Sequence, residues 1–345
     1  MQQRLKKYSR DSGSAAALAS RRITNTSLAI LATIHDYRII PTSSLVRLVH
    51  GHEKNIQRHL QQLYHKGLVN RFTFMRGKNP SEFHYYLDNT EALDLLIAHG
   101  VNPDSVDRED VRRNRDKAYS DVNNPKLTEE VQGKLLFLKH EVMISRFHAM
   151  LDFACIQSGG SIELTEFQQG PALWHKVEVP KLSLKTGQWR ETDQTEQLPH
   201  RPDAFFTLSF PNDPGREALH FFYEADRHRT NTHKYNKKLR AHFFFVVKQK
   251  LHLQYYGANR IRAVLTETVD DDWAESLRQA ARSVTVSGAK PSPLFWFTTS
   301  RFFTEEMFQE GSASKTIPTY LQRPDIVLKH IWASPVDDTL HSLID

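Results

Sequence analysis

Between Asn25 and Leu87, apolar side chains recur first at helical spacing and then in short runs. Leu28, Leu31 and Ile34 mark the inward face of a first helix, which Thr24, Asn25 or Thr26 can cap. Pro41 interrupts the chain. Ser43 or Ser44 then opens a short second helix bearing Leu45, Leu48 and Val49. After the turn at His50-Gly51, Ile56, Leu60 and Leu63 recur at i, i+4 and i+7. This spacing predicts a third helix from Glu53 to Lys66, ended by Gly67 in a left-handed cap. "LVNRFTFM" and "EFHYYLD" follow as two strands around the turn "RGKNPS". Residues 88–100 predict a further capped helix ending at Gly100. That helix is expected to pack on the preceding elements or to mediate a homodimer.

The second half alternates between the two periods. Helical patterns cover Leu135–Ile156, Thr232–Val247 and Asp271–Val284, with another after Thr298. Strand patterns cover Ser161–Phe167, Ala204–Ser209, Leu219–Ala225, Arg260–Thr266 and Pro293–Thr298, with an irregular insertion after the first. Such alternation predicts an α/β domain around a mixed sheet. The expected organisation is a basic arm over 1–22, a DNA-binding domain over 23–100, a charged linker over 101–133 and the α/β domain over 134–345.

Helix, helix, helix and hairpin is the order of a winged helix-turn-helix, whose third helix reads the major groove. Here the outward face of that helix offers Lys54, Asn55, Gln57, Arg58, Gln61, Gln62 and His65, with almost no acid after Glu53. These donors suit base edges and phosphates of double-stranded DNA. Arg76 and Lys78 sit at the hairpin tip, where a wing meets phosphate or the minor groove. A merely solvated helix usually mixes its charges.

Composition narrows the class. The 345 residues are 39% hydrophobic and 10% aromatic, enough for two ordinary domains or one large one with a packed core. The net charge of +6 favours a polyanionic partner. The arm adds Arg4, Lys6, Lys7, Arg10, Arg21 and Arg22. No apolar run reaches membrane-spanning length, and no signal peptide is apparent at the N-terminus. The single cysteine, Cys155, excludes an intrachain disulfide and suits a cytoplasmic setting, as a small buried hydrophobe. No GxGxxG or GxxxxGK[ST] is present, so no nucleotide site is indicated. His140-Glu141 is not followed by a histidine at position 144, which is Ile, and no zinc site is expected.

Three carboxylates stand out against this background. Asp203 opens one aromatic strand, and Glu224 and Asp226 end the next. Adjacent strands would bring Asp203 and Glu224 together, and gathered carboxylates need a counter-charge. A divalent cation such as Mg2+ is one source, with Asp203 and Glu224 as its ligands. Ion pairs are the other: Asp203 with Arg201, and Glu224 or Asp226 with Arg227, Arg229 or a lysine of the following helix.

The order R-P-D, then E-x-D, then "HKYNKKLRAHFFF" resembles the PD-(D/E)XK nuclease fold, with Asp226 where that pattern has lysine. The resemblance implies a lysine displaced onto the helix, Lys238 or Lys237, and an earlier glutamate, Glu141 in "KHEVMISRF". With "RIRAVLTET" and the N-terminal module, the chain from about Thr24 to Thr299 resembles the replication-relaxation family of plasmids and integrative elements. That resemblance implies action on plasmid or mobile-element DNA, in replication control or in relaxation and nicking at an origin; the carboxylates would make the nicking Mg2+-dependent, and the alternative is a non-catalytic regulator that keeps the nuclease-like fold for DNA binding or assembly.

Overall fold

The computed structural model describes residues 23–76, 79–80, 82–102, 108–109, 111–112, 115, 129–185, 188–227, 231–303 and 319–345. The basic arm, Lys78 and most of the expected linker lie outside them. The fold is mixed α and β, in two compact units that divide at Arg146/Phe147.

In the first unit, α1 (Asn25–Tyr37) is capped by Thr24, whose side chain accepts from the Ser27 N–H at 3.2 Å. It buries Ile30, Leu31 and Ile34. A strand follows that the helical periodicity did not announce: β1 (Ile39–Pro41), all three residues buried. Arg38 makes the corner at φ +64°, a costly region for a side chain-bearing residue, and its guanidinium is pinned by Glu141 at 3.1 Å. Helix α2 (Thr42–Leu48) has Pro41 at its N-cap and no side-chain cap. Ser43 is occupied elsewhere, donating from N and Oγ to Glu82 at 2.8 and 3.0 Å.

Helix α3 (Glu53–His65) forms as its spacing predicts, with Ile56, Leu60 and Leu63 inward and Gly67 at φ +78° after it. Strands β2 (Val69–Phe72), β3 (Met75–Arg76), β4 (Asn79–Pro80) and β5 (His84–Leu87) follow. β5 lies between β1 and β2 in an antiparallel sheet. α4 (Thr90–Ala98), capped by Asn89, buries Ala92, Leu93 and Leu96.

The unit boundary falls within α5 (Glu129–Gln157). The second unit is built on β6 (Glu163–Gln169), β9 (Ala204–Ser209), β10 (Leu219–Asp226), β11 (Ile261–Thr268), β12 (Phe295–Thr299), β13 (Trp332–Ala333) and β14 (Leu340–His341). These strands form, in the order β14-β13-β12-β11-β10-β9-β6, one mixed sheet among the described residues. β9 pairs antiparallel with both β6 and β10, β11 pairs parallel with both β10 and β12, and β13 pairs antiparallel with both β12 and β14. Parallel neighbours need crossover segments, which α6 (Thr232–Phe243), α7 (Leu251–Tyr256), α8 (Asp271–Ala281) and α9 (Val284–Ser287) supply.

Alternation along the central strands splits the aromatic run between two faces. Phe205, Phe222, Val264 and Phe295 join Tyr235 and Leu239 of α6 in one core. On the other face Phe147 stacks on Tyr223 at 3.9 Å and meets Phe206 and Trp332 edge-on. Two expectations change here. The irregular insertion is an antiparallel strand pair, β7 (His175–Lys185) with β8 (Gln188–His200), whose register shifts between Pro180 and Leu182. Its alternation is legible only where Val177 and Val179 turn inward, because the opposite face is polar. The helix expected over Thr232–Val247 is α6 followed by a π-helical turn, Phe244–Lys248.

Candidate functional site

The exposed face of α3 is the first candidate. Lys54, Asn55, Gln57 and Arg58 are exposed and Gln61 is half-buried. Glu53, the acid at its start, accepts from the Gln57 side chain at 2.9 Å. The expected seventh member is not on this face: His65 is 2% exposed and packs edge-on against Tyr64. It occupies the last position of the helix, where the chain turns back into the core. Arg76 lies on β3, and Lys78 falls outside the described residues.

The second candidate is the corner where β10 ends. Alternation puts Phe222, Glu224 and Asp226 on the face covered by α6. Asp203 precedes β9, and its main-chain N–H donates to Tyr223 O at 3.1 Å. Its Oδ2 accepts the Ala225 N–H at 2.8 Å, which brings it beside Glu224 as the strand pairing predicts. On α6, Lys238 and His242 are one helical turn apart and so share a face. Lys238 Nζ ion-pairs with Glu224 Oε2, and His242 Nε2 donates to Glu224 Oε1 at 2.6 Å. Beyond it, His242 Nδ1 lies 3.0 Å from Nε2 of His200. Asp226 accepts from Trp273 Nε1 of α8 at 3.1 Å.

The electrostatics follow from burial. Glu224 is 1% exposed, and burial pushes its carboxyl above the ordinary value; Lys238 and His242 oppose that push. For Lys238, burial works against the charge. Glu224, Asp203 and Asp226 outweigh it and hold the ammonium above its ordinary value. Burial, reinforced by His242, keeps His200 well below the ordinary histidine value and therefore neutral.

Of the other expected members, Lys237 is exposed on α6 and Glu141 belongs to the first unit, bound to Arg38. Arg201, an alternative partner for Asp203, lies over the Trp174 ring at 5.1 Å. Sequence reasoning missed His242 and His200: the i, i+4 spacing puts Lys238 and His242 on one face of the helix, and only the fold brings that face to Glu224. It also missed Glu267, a fully buried carboxylate that accepts from Tyr223 and Ser300, each at 2.7 Å.

Asp203 and Glu224 do not fit a Mg2+ ion as arranged. Both oxygens of Glu224 are taken by protein donors, and one of Asp203 by the main chain. Among the described residues no group of three or more His, Cys, Asp or Glu side chains is set to hold a metal ion. Cys155 is buried, and burial pushes its thiol up to about 12, which keeps it protonated. No helix among the described residues is long and apolar enough to cross a membrane.

Residues 31–257 match the family model described as replication-relaxation. The chain belongs to the replication-relaxation family. The matched span contains α3 and the Asp203–Glu224–Lys238 corner, and it ends before β11. Family membership points to a role in the replication or relaxation of plasmid or mobile-element DNA. No curated protein and no solved structure matches the chain.

Proposed function

We propose that this family member binds duplex DNA of a plasmid or mobile element, reading it with α3 of a winged helix-turn-helix. The second unit is then a nuclease-like fold kept for binding and assembly. The observation that carries the reading is the α3 face, where Lys54, Asn55, Gln57 and Arg58 stand exposed together. What supports the fold assignment is the order α1, β1, α2, α3, β2, β5, with β5 pairing between β1 and β2. What supports a scaffold role for the second unit is Glu224, whose counter-charge comes from within the chain.

Duplex fragments from the DNA flanking the coding region provide the test. The double variant Arg58→Ala/Gln61→Ala is expected to lose affinity, by about 1–3 kcal/mol for each base contact removed. Its thermal melt should match wild type, because neither side chain is in the core. Unchanged affinity at moderate salt would overturn the reading and make the first unit a protein-assembly module.

One observation favours a second reading: Asp203, Glu224 and Lys238 converge, the residue types of a PD-(D/E)XK nuclease. Supercoiled plasmid incubated with Mg2+, Mn2+ or EDTA separates the two. Metal-dependent open circles from wild type, absent from Asp203→Ala/Glu224→Ala, would establish a nickase. Intact plasmid with a mobility shift that survives that double substitution is the outcome expected of a scaffold.

A further inference from the structure

At the end of β10 one positive group serves three carboxylates. Lys238 Nζ of α6 ion-pairs with Glu224 Oε2, and Glu224, Asp203 and Asp226 together hold its charge in place. A cation shared by carboxylates at neighbouring strand ends is the arrangement that a hard divalent ion adopts. Here the cation is an ammonium carried by the chain itself. It reaches that position because Lys238 lies on α6 beside the buried Leu239, with His242 one turn further on.

The remaining oxygen of Glu224 is closed as well. His242 Nε2 donates to Oε1 at 2.6 Å, which leaves Nδ1 of the neutral ring as an acceptor for His200 Nε2 at 3.0 Å. Both rings are 1% exposed, and His200 stacks on Phe245 at 3.8 Å, so neither can turn away without opening the core. The other two carboxylates have neutral donors: the Ala225 N–H for Asp203 at 2.8 Å and Trp273 Nε1 for Asp226 at 3.1 Å. A divalent ion entering this corner would have to displace the ammonium or lie beside it. The first strips a half-buried ammonium of its partner. The second sets like charges side by side where water screens them poorly.

We propose that Lys238 stands in for a divalent cation at this corner, and that removing its ammonium turns the corner into a cation site. In Lys238→Met, Glu224 Oε2 and Asp203 would hold the ion and water would complete its shell, as Mg2+ and Mn2+ are commonly held. The inference deepens the scaffold reading of the second unit and rests on it.

Mn2+ titration of the full chain, read by electron paramagnetic resonance of the free ion and by denaturant melts, tests it. Wild type and Glu224→Gln should take up the same amount of Mn2+. Lys238→Met should take up one ion more than Lys238→Met/Glu224→Gln. At about 100 times its dissociation constant, Mn2+ should raise the folding constant of Lys238→Met about 100-fold and leave that of wild type unchanged. The proposal is overturned if wild type takes up Mn2+ that Glu224→Gln does not, a result that holds whether or not Lys238→Met folds. It is also overturned if folded Lys238→Met takes up no more than Lys238→Met/Glu224→Gln. Intact supercoiled plasmid alongside uptake by wild type would sink this inference alone. Metal-dependent open circles alongside that uptake would sink the scaffold reading too.

Discussion

The α3 face and the β10 corner use the same kinds of side chain in opposite ways. On α3, Lys54 and Arg58 stand in solvent, and the neighbouring acid is held by Gln57. At the end of β10, Glu224 is almost fully enclosed and meets Lys238 and His242 of the same unit. Charge left in water is cheap to keep and available to a polyanion. Charge taken out of water must be matched on the spot, and once matched it offers little to a ligand. The difference teaches that the polar residues of this chain divide by solvent access, and the proposed DNA reading rests on the exposed set.

The largest expected effect breaks the corner. Lys238→Met leaves Glu224 enclosed with His242 as its remaining partner. Breaking a buried pair costs about 3–5 kcal/mol, and the lower end applies because 34% of the Lys238 side chain is exposed. Adding Glu224→Gln should restore most of that loss, since the uncompensated charge is then gone. Lys237→Met is the matched control: exposed, one residue away, and expected within about 0.5 kcal/mol of wild type. Denaturant unfolding of the full chain measures all three. If Lys238→Met were as stable as wild type, Glu224 would have another counter-charge, and the comparison between the two regions would fail.

Much of this was legible in the sequence, for a physical reason that also explains what was not. The helix α3 could be read because Ile56, Leu60 and Leu63 repeat at one spacing and Gly67 supplies the positive φ that ends it. The meeting of Asp203 with Glu224 could be read because strand-end carboxylates on successive strands fall together when the strands pair. β1 could not, because three residues between two helices are too few to show a period, and pairing with β5 is what makes them a strand. His65 read as outward from its spacing, yet the turn after α3 carries it into the core. The engagement of His242 and His200 depends on a contact 42 residues apart, which no local pattern carries.

A smaller effect sharpens the comparison through pH. His148 of the second unit is 7% exposed and stacks on Phe167 at 3.7 Å. Burial depresses its imidazole from 6.5 to about 3. A depressed folded value means that the unfolded chain takes up a proton the folded chain refuses. The contribution is therefore fully present above 6.5 and is lost as pH falls from 6.5 towards about 3. The slope is about 1.4 kcal/mol per pH unit, or about 2 kcal/mol near pH 5. His200 is depressed for the same reason and steepens the loss. His148→Gln, which cannot titrate there, should flatten the acid limb of the stability profile measured by denaturant melts across pH. An unchanged slope would mean that His148 gains a proton in the folded state, with Asp152, 3.6 Å away, as its partner. Enclosure in the second unit would then tolerate a charge as readily as the α3 face does, and solvent access would no longer separate the two regions.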